Sequence, residues 1–167
     1  MKRINNLFEQ ICSIENIELA DDRARKNKTR RRNVKIHDKH RKEDNLKIRE
    51  MLLKGTYTTS KYKTFKIYEP KERIIFSLPY YPDRIIHHAI MNILEPIWVN
   101  IFIENTYSCI KDRGIHKLVK DLKRDLTNDR EGTRYCLKLD ITKFYPSVNH
   151  DILKNIIRKK IKDIKLL

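Results

Sequence analysis

Tyr135-Cys136-Leu137-Lys138-Leu139-Asp140-Ile141-Thr142-Lys143-Phe144-Tyr145-Pro146-Ser147-Val148 is the stretch on which the reading of this chain turns. Tyr135, Leu137 and Leu139 alternate with Cys136, Lys138 and Asp140, the period of a half-buried strand. Asp140 is therefore expected at the strand's last position, on the face opposite the leucines. Phe144-Tyr145-Pro146 ends the strand, because proline lacks an N–H and pushes its predecessor toward extended geometry. Asn149-His150-Asp151 can then open a helix. From the residues alone two plain alternatives stay open: Asp140 can simply end the strand by accepting from turn amides, and Tyr145 can pack under the turn as core.

Working outward, Ile152, Leu153, Ile156, Ile157 and Ile161 give the following helix an apolar face and a Lys/Arg outer one. On the other side, Asn128-Asp129-Arg130-Glu131-Gly132 is a polar turn. Before it, Ile115, Leu118, Val119, Leu122 and Leu126 predict the buried face of a helix that Gly114 opens by giving its turn conformational freedom. Earlier still, Pro82 is placed for the first turn of a helix whose core stripe is Ile86, Ile90, Ile93, Leu94 and Ile97, with Pro96 beginning to end it. His87 and His88 are adjacent, about 100° apart on that helix, and so are not expected to share a metal. Trp98 and Phe102 are expected to pack rather than stack on bases.

Residues 57–79 read as a hairpin. Tyr57, Thr59, Tyr62, Thr64, Phe65, Ile67 and Tyr68 are β-formers, Glu69-Pro70-Lys71-Glu72 is a turn, and Arg73-Ile74-Ile75-Phe76-Ser77-Leu78-Pro79 is the returning strand. Gly55 closes the helix that ends in Met51, Leu52 and Leu53. Between Arg23 and Glu50 stand thirteen Lys or Arg against four acids, Arg30-Arg31-Arg32 among them, with no Pro or Gly to interrupt one or two basic helices. Ile4, Leu7, Phe8 and Ile11 predict a short amphipathic helix at the N-terminus, ended at Ser13.

Composition bounds the function. Of 167 residues, 38 are Lys or Arg and 22 Asp or Glu, a net charge of +16, which points to a polyanionic partner, nucleic acid foremost. No apolar run reaches the ~18 residues of a spanning helix and nothing resembles a signal peptide, so a cytoplasmic protein with no membrane partner is expected. Cys12, Cys109 and Cys136 are odd in number and far apart, and are expected to be reduced and structural. With only three glycines there is no phosphate-cradling Gly-rich loop.

Leu137-Lys138-Leu139-Asp140, Phe144-Tyr145-Pro146-Ser147 and His150-Asp151-Ile152-Leu153 together resemble the first palm motif of bacterial reverse transcriptases, RNA-directed DNA polymerases, most of all those of diversity-generating retroelements, with retron and group II intron enzymes as relatives. The hairpin through Asp83-Arg84-Ile85-Ile86-His87-His88-Ala89 resembles the fingers of the same family, and Tyr107-Ser108-Cys109-Ile110-Lys111-Asp112-Arg113-Gly114-Ile115-His116 its second fingers-palm motif. The resemblance runs over roughly residues 20 to 167. It implies that Asp140 and the backbone carbonyl of Ile141 bind two Mg2+ ions, together with two aspartates of a Tyr-x-Asp-Asp hairpin that this sequence does not contain. It implies that Tyr145 is the gate under the incoming sugar and that Arg73, assisted by Lys71, reaches the triphosphate of a dNTP. That chemistry suits phosphoryl transfer, which needs fixed cations over the phosphates. The competing reading of Lys71 and Arg73 is ion pairing with Glu69 or Glu72.

The resulting expectation is an α+β chain: a basic helical region over 1–56, fingers with fingers-palm helices over 57–133, and the start of a palm over 134–167. Arg30, Arg31, Arg32 and Arg113 are the candidate nucleic-acid contacts, with a pair between Asp112 and Arg113 or Lys117 as the alternative at the helix start. The expected partners are an RNA template with a DNA primer, or their hybrid, a dNTP, and a retroelement accessory protein. Without the second acidic motif and the thumb, the chain is expected to be an N-terminal part of a polymerase, a fragment or a gene cut short, inactive alone. The alternatives are a small non-catalytic basic RNA-binding protein and a polymerase remnant serving as an interaction domain.

Overall fold

The computed structural model describes residues 3–167, as eight helices and one two-stranded sheet. Two compact units divide it: residues 3–96 with 160–167, and residues 97–159.

In the first unit α1 (Leu7–Ile11) and α2 (Ile14–Arg25) are separated by Ser13, whose hydroxyl accepts from Asn16 N at 3.2 Å and so caps α2. Ile17, Ala20, Asp21 and Ala24 recur at i, i+3, i+4 and i+7, and all are buried. This helix was not expected, because its inner stripe is two alanines and a charged residue beside a single isoleucine. Ile4 lies outside α1, in a parallel bridge to Ile161. α3 (Arg32–Asp38) and α4 (Arg41–Leu53) are the two basic helices, held inward by Val34 and His37 and by Asn45 and Ile48. Gly55, at φ 63°, ends α4: its N–H donates to Leu52 O at 3.1 Å and Thr56 N to Met51 O at 3.0 Å, a paired closure that needs a left-handed residue.

β1 (Lys63–Tyr68) and β2 (Glu72–Ser77) form an antiparallel hairpin, Lys63 opposite Ser77 and Tyr68 opposite Glu72, shorter than the expected 57–79: Tyr57, Thr59, Tyr62, Leu78 and Pro79 lie outside the strands. A wide helical turn, Tyr80–Arg84, follows and contains the cis Tyr81–Pro82 bond; α5 (Ile85–Val99) then begins beyond Pro82 and continues past Pro96. Pro82 thus falls in the wide turn ahead of α5 rather than in the helix's first turn, while Pro96 stands in the last turn of α5, where the helix was expected to begin to end. Ile85, Ile86 and Ala89 face inward with Ile11, Ile17 and Ile48, each such isoleucine contributing on the order of 1.5–3 kcal/mol. Asn16 ties three helices, donating to Ile11 O and Ala89 O, both at 3.0 Å, while its amide oxygen accepts from Asn92 at 2.9 Å. The chain returns to this unit at its far end. Asp163 Oδ2 accepts from Leu7 N at 2.7 Å and Phe8 N at 2.9 Å, capping α1 from 155 residues away, beside the Ile4–Ile161 bridge.

In the second unit α6 (Ile115–Asn128) and α8 (His150–Arg158) sit where the sequence places helices, and the expected aromatic turn between strand and helix is a single helical turn, α7 (Phe144–Ser147). Asn149 caps α8, its side chain accepting from Asp151 N and Ile152 N at 3.0 and 3.1 Å. Five expectations are corrected here. Residues 135–141 form no ladder with any described residue, and Leu137 is 83% exposed: alternation specifies two faces but supplies no partner for the backbone. The apolar stripes of α6 and α8 are largely exposed rather than buried, since nothing in the unit covers Leu122, Leu126, Ile152 or Ile156. Gly114 has an ordinary φ of −86°, and the left-handed positions of its loop are Cys109 and Asp112. Cys109 and Cys136 are exposed, and of the three cysteines only Cys12 is packed. Phe102 is exposed as well.

Candidate nucleic-acid interface

The basic stretch divides into cations that are spent on the fold and cations that are not. The first group converges on Asp21, which is 0% exposed. Its carboxylate accepts hydrogen bonds from Tyr80 Oη and Arg41 Nε, with Arg25 Nε at 3.7 Å and His37 Nε2 at 3.4 Å. Burial pushes the Asp21 carboxyl up, but hydrogen bonds from His37, Tyr80 and Arg41 outweigh it and hold the group well below the usual carboxylate range. His37, between the rings of Tyr80 and Tyr81, also meets Asp44 Oδ2 through Nδ1 at 3.0 Å. Burial lowers its affinity for a proton; Asp21 and then Asp44 more than restore it, so the imidazole titrates above its ordinary value. Arg25 further pairs with Asp38, and Arg41 with Asp22. Arg25 and Arg41 belong to the one-signed run, yet they neutralise a buried acid. The sequence reading missed this hub, and its signal was Asp21 itself, a charge on the inner stripe of a helix.

The second group lies in the connection from α2 to α3 and at the first residue of α3. Arg30, Arg31 and Arg32 are exposed and form no ion pair among the described residues. The backbone there turns through Asn27 at φ 62°, with Lys28 N on Arg25 O at 2.7 Å and Arg31 N on Lys28 O at 2.9 Å. Lys28 titrates below the ordinary lysine value, through burial first and then the charges of Arg84 and Arg31. Like charges are thus gathered without an acid to offset them.

On the hairpin, Lys71 stands in the turn and Arg73 opposite Ile67, both exposed. The pairing with Glu69 or Glu72 does not form: Glu72 pairs instead with Lys66 across the hairpin at 2.6 Å. Asp83, 0% exposed, fixes the chain that leads into the hairpin, accepting from Tyr57 Oη at 2.8 Å and Ser60 N at 3.0 Å. Burial and this hydrogen bond push the Tyr57 hydroxyl up to about 12.

In the second unit Lys117 pairs with Asp121 at 2.6 Å, not with Asp112, and Asp121 also accepts from Tyr107 Oη at 2.9 Å and Arg124 at 3.3 Å. Arg113 is half-buried, with one guanidinium nitrogen enclosed and unbonded. Asp140 is exposed and makes no hydrogen bond or ion pair among the described residues, so the turn-amide alternative is not what the structure forms. Tyr145 is 87% exposed, with its ring edge-on to Phe144 at 5.4 Å, which removes the core alternative. The Mg2+ pair implied by the resemblance does not fit the residues present. A lone carboxylate with the Ile141 carbonyl falls short of the ligands two such ions need, and no cluster of three or more His, Cys, Asp or Glu side chains suited to a metal occurs among the described residues.

No protein-family model matches the chain. Protein YkfC of Escherichia coli K12 is 27% identical over 124 residues, 72% of this chain and 32% of that protein. The group II intron-encoded protein LtrA of Lactococcus lactis subsp. cremoris is 27% identical over 122 residues, again 72% of this chain and 20% of the relative. Nuclear intron maturase 1, mitochondrial, of Arabidopsis thaliana is 25% identical over 115 residues, 69% of this chain and 15% of the relative. The chain thus spans a third or less of the length of these relatives. It is distantly similar, over about 70% of its own length, to a group II intron-encoded protein and to a nuclear intron maturase.

Proposed function

We propose that this chain is the fingers and first palm segment of an RNA-directed DNA polymerase related to intron maturases, and that it holds an RNA template with its DNA primer by phosphate contacts. The supporting observation is the division among the cations. Arg25, Arg41, Lys117 and Arg124 are paired with Asp21 or Asp121, whereas Arg30, Arg31, Arg32, Lys71 and Arg73 are exposed and unpaired among the described residues. An exposed arginine fork with no acid beside it suits a phosphate, and the distant similarity to maturases makes nucleic acid the matching polyanion. In this reading Arg30, Arg31 and Arg32 contact the nucleic-acid backbone, with Arg113 as a further contact. Arg73 and Lys71 meet the triphosphate of an incoming dNTP, Tyr145 lies under its sugar, and Asp140 supplies one carboxylate to a magnesium site that other residues would complete. An accessory protein of a retroelement remains a proposed partner, and the diversity-generating type a proposed subclass.

The test is binding of an RNA–DNA hybrid across a range of salt. Affinity is expected to fall steeply as salt rises, with little dependence on base sequence, because phosphate contacts release counterions and carry no sequence information. An affinity that stays level from low to physiological salt would overturn the reading. A small non-catalytic RNA-binding protein would share the salt dependence but show no dNTP-dependent tightening, and that tightening is expected to be lost in Arg73→Ala.

A further inference from the structure

α3 is a seven-residue helix without a side-chain cap, too short to persist by propensity, and of its residues only Val34 and His37 are buried. Apart from Val34 and the pairing of Asp38 with Arg25, what seats it is one imidazole. His37 stands between carboxylates of two other helices, Nδ1 at 3.0 Å from Asp44 Oδ2 on α4 and Nε2 at 3.4 Å from Asp21 Oδ1 on α2. From the wide turn Tyr80 meets the ring edge-on and Tyr81 stacks on it. A neutral imidazole has one N–H and one lone pair, so it donates to one carboxylate and turns a lone pair on the other; the imidazolium donates to both. The charges around it balance only with that proton. Asp21 also meets Arg25 and Arg41, which go on to Asp38 and Asp22, and Asp44 also meets Lys47. With the imidazolium this connected network holds four cations and four carboxylates; with a neutral ring one carboxylate is left uncompensated.

We infer that the imidazolium of His37 is a proton-operated fastening of α3, and that its deprotonation releases α3 and with it the placement of Arg30, Arg31 and Arg32. These arginines stand at the helix's first residue and immediately before it, so the seat of α3 sets where they point from. Burial lowers the proton affinity of His37, but the two carboxylates outweigh it, so the seated helix holds the proton more tightly than the released one. The seat is therefore firm as pH falls and is lost as pH rises through the raised His37 value. Tyr80 and Tyr81 do not compete in this range, because burial first, and then Asp21 or Asp44, push both hydroxyls above their ordinary value and keep them neutral. A short helix held by so few groups opens locally before the rest of the unit does. The inference rests on the proposed function only for what the arginines hold; the release of α3 belongs to the free protein.

The experiment follows the full chain from about pH 6, below the ordinary histidine value of ~6.5, to about pH 9. It reads the titration of the His37 ring by NMR, the hydrogen-exchange protection of the α3 amides corrected for intrinsic rates, and the affinity for an RNA–DNA hybrid at fixed salt. In the parent, α3 protection and hybrid affinity are expected to fall together above the His37 titration, by up to about tenfold per pH unit, the limit for one linked proton. His37→Gln has no titrating ring, so α3 protection and hybrid binding are expected to be weaker at low pH and the parent's fall to be absent. Asp44→Asn removes one of the two carboxylates, and the pH at which both quantities fall is expected to move down by about one unit. Circular dichroism verifies folding of both variants. The inference is overturned if His37 titrates at or below ~6.5 in the parent, or if α3 protection stays level across that titration. It is equally overturned if folded Asp44→Asn loses protection at the parent's pH, or if hybrid affinity stays level while α3 protection falls. A hybrid affinity insensitive to salt at every pH would instead strike the proposed function and leave the α3 readouts standing.

Discussion

Asp21 shows what a single residue decides. Its buried carboxylate is shared by Arg41, Arg25, His37 and Tyr80, so Asp21→Asn removes the charge that this buried hydrogen-bonded hub is built around. A loss of about 3 kcal/mol is expected by urea denaturation, since breaking a buried pair costs far more than its net contribution; a change below ~0.5 kcal/mol would show the hub to be dispensable. The same cluster sets a pH dependence. His37 titrates above its ordinary value in the fold, so its contribution is full below ~6.5 and is lost as pH rises through the raised value. Asp21 titrates below its ordinary value, so its contribution is full above ~3.9 and is lost as pH falls through the depressed one. The denaturation midpoint should therefore decline as pH rises from ~6.5 through the raised value in the parent, and this decline should be lost in His37→Gln. Asp140 and Tyr145 are the reverse case. Both are exposed, and Asp140 holds nothing in place, so Asp140→Asn and Tyr145→Ala should each change stability by less than ~0.5 kcal/mol. A larger loss would mark them as structural. Primer extension by this chain alone should give no nucleotide addition, because one carboxylate is too little to hold the reacting groups; addition would sink the proposed incompleteness of the site.

Among the elements, α1 is the most dependent on distant chain. It is a five-residue helix, too short to persist by propensity, and its first amides are satisfied by Asp163. Asp163→Ala is expected to cost about 1–2 kcal/mol, the range of a lost cap whose donors are partly buried. Hydrogen exchange should show the α1 amides opening first; unchanged protection would mean that the Ile4–Ile161 bridge suffices. The hairpin's ion pair stands at the other extreme. Lys66 and Glu72 are both about half exposed, and Glu72→Gln should shift stability by less than ~0.5 kcal/mol, within the range of surface pairs.

For the molecule as a whole, the net charge of +16 is the dominant electrostatic fact, and its distribution matters more than its sum. Replacing Arg30, Arg31 and Arg32 with Gln should lower the slope of log affinity against log salt by up to about 2–3 for an RNA–DNA hybrid, one increment for each phosphate no longer neutralised. Replacing Arg25 or Arg41 should instead lower stability, with little effect on that slope beyond the folded fraction. A triple variant whose slope matches the parent would remove these arginines from the interface.

The sequence by itself determined the hairpin, the closure of α4 at Gly55, the opening of α8 at Asn149 and the presence of α6, because turn chemistry, caps and a 3.6-residue period act within a few residues of their cause. It also marked the residues proposed for the site, Asp140, Tyr145, Lys71 and Arg73, through local motif. Only the tertiary structure decided which of the cations are free. Arg25 and Arg41 read no differently from Arg30 and Arg32 until Asp21 and Tyr80 are brought against them. The Asp163 cap and the Ile4–Ile161 bridge were likewise illegible, since both join segments about 155 residues apart that carry no mutual signal. Residues 135–141 failed in the opposite direction. Their alternation is real, but a strand is made by its neighbour's hydrogen bonds, and periodicity in one segment does not supply them.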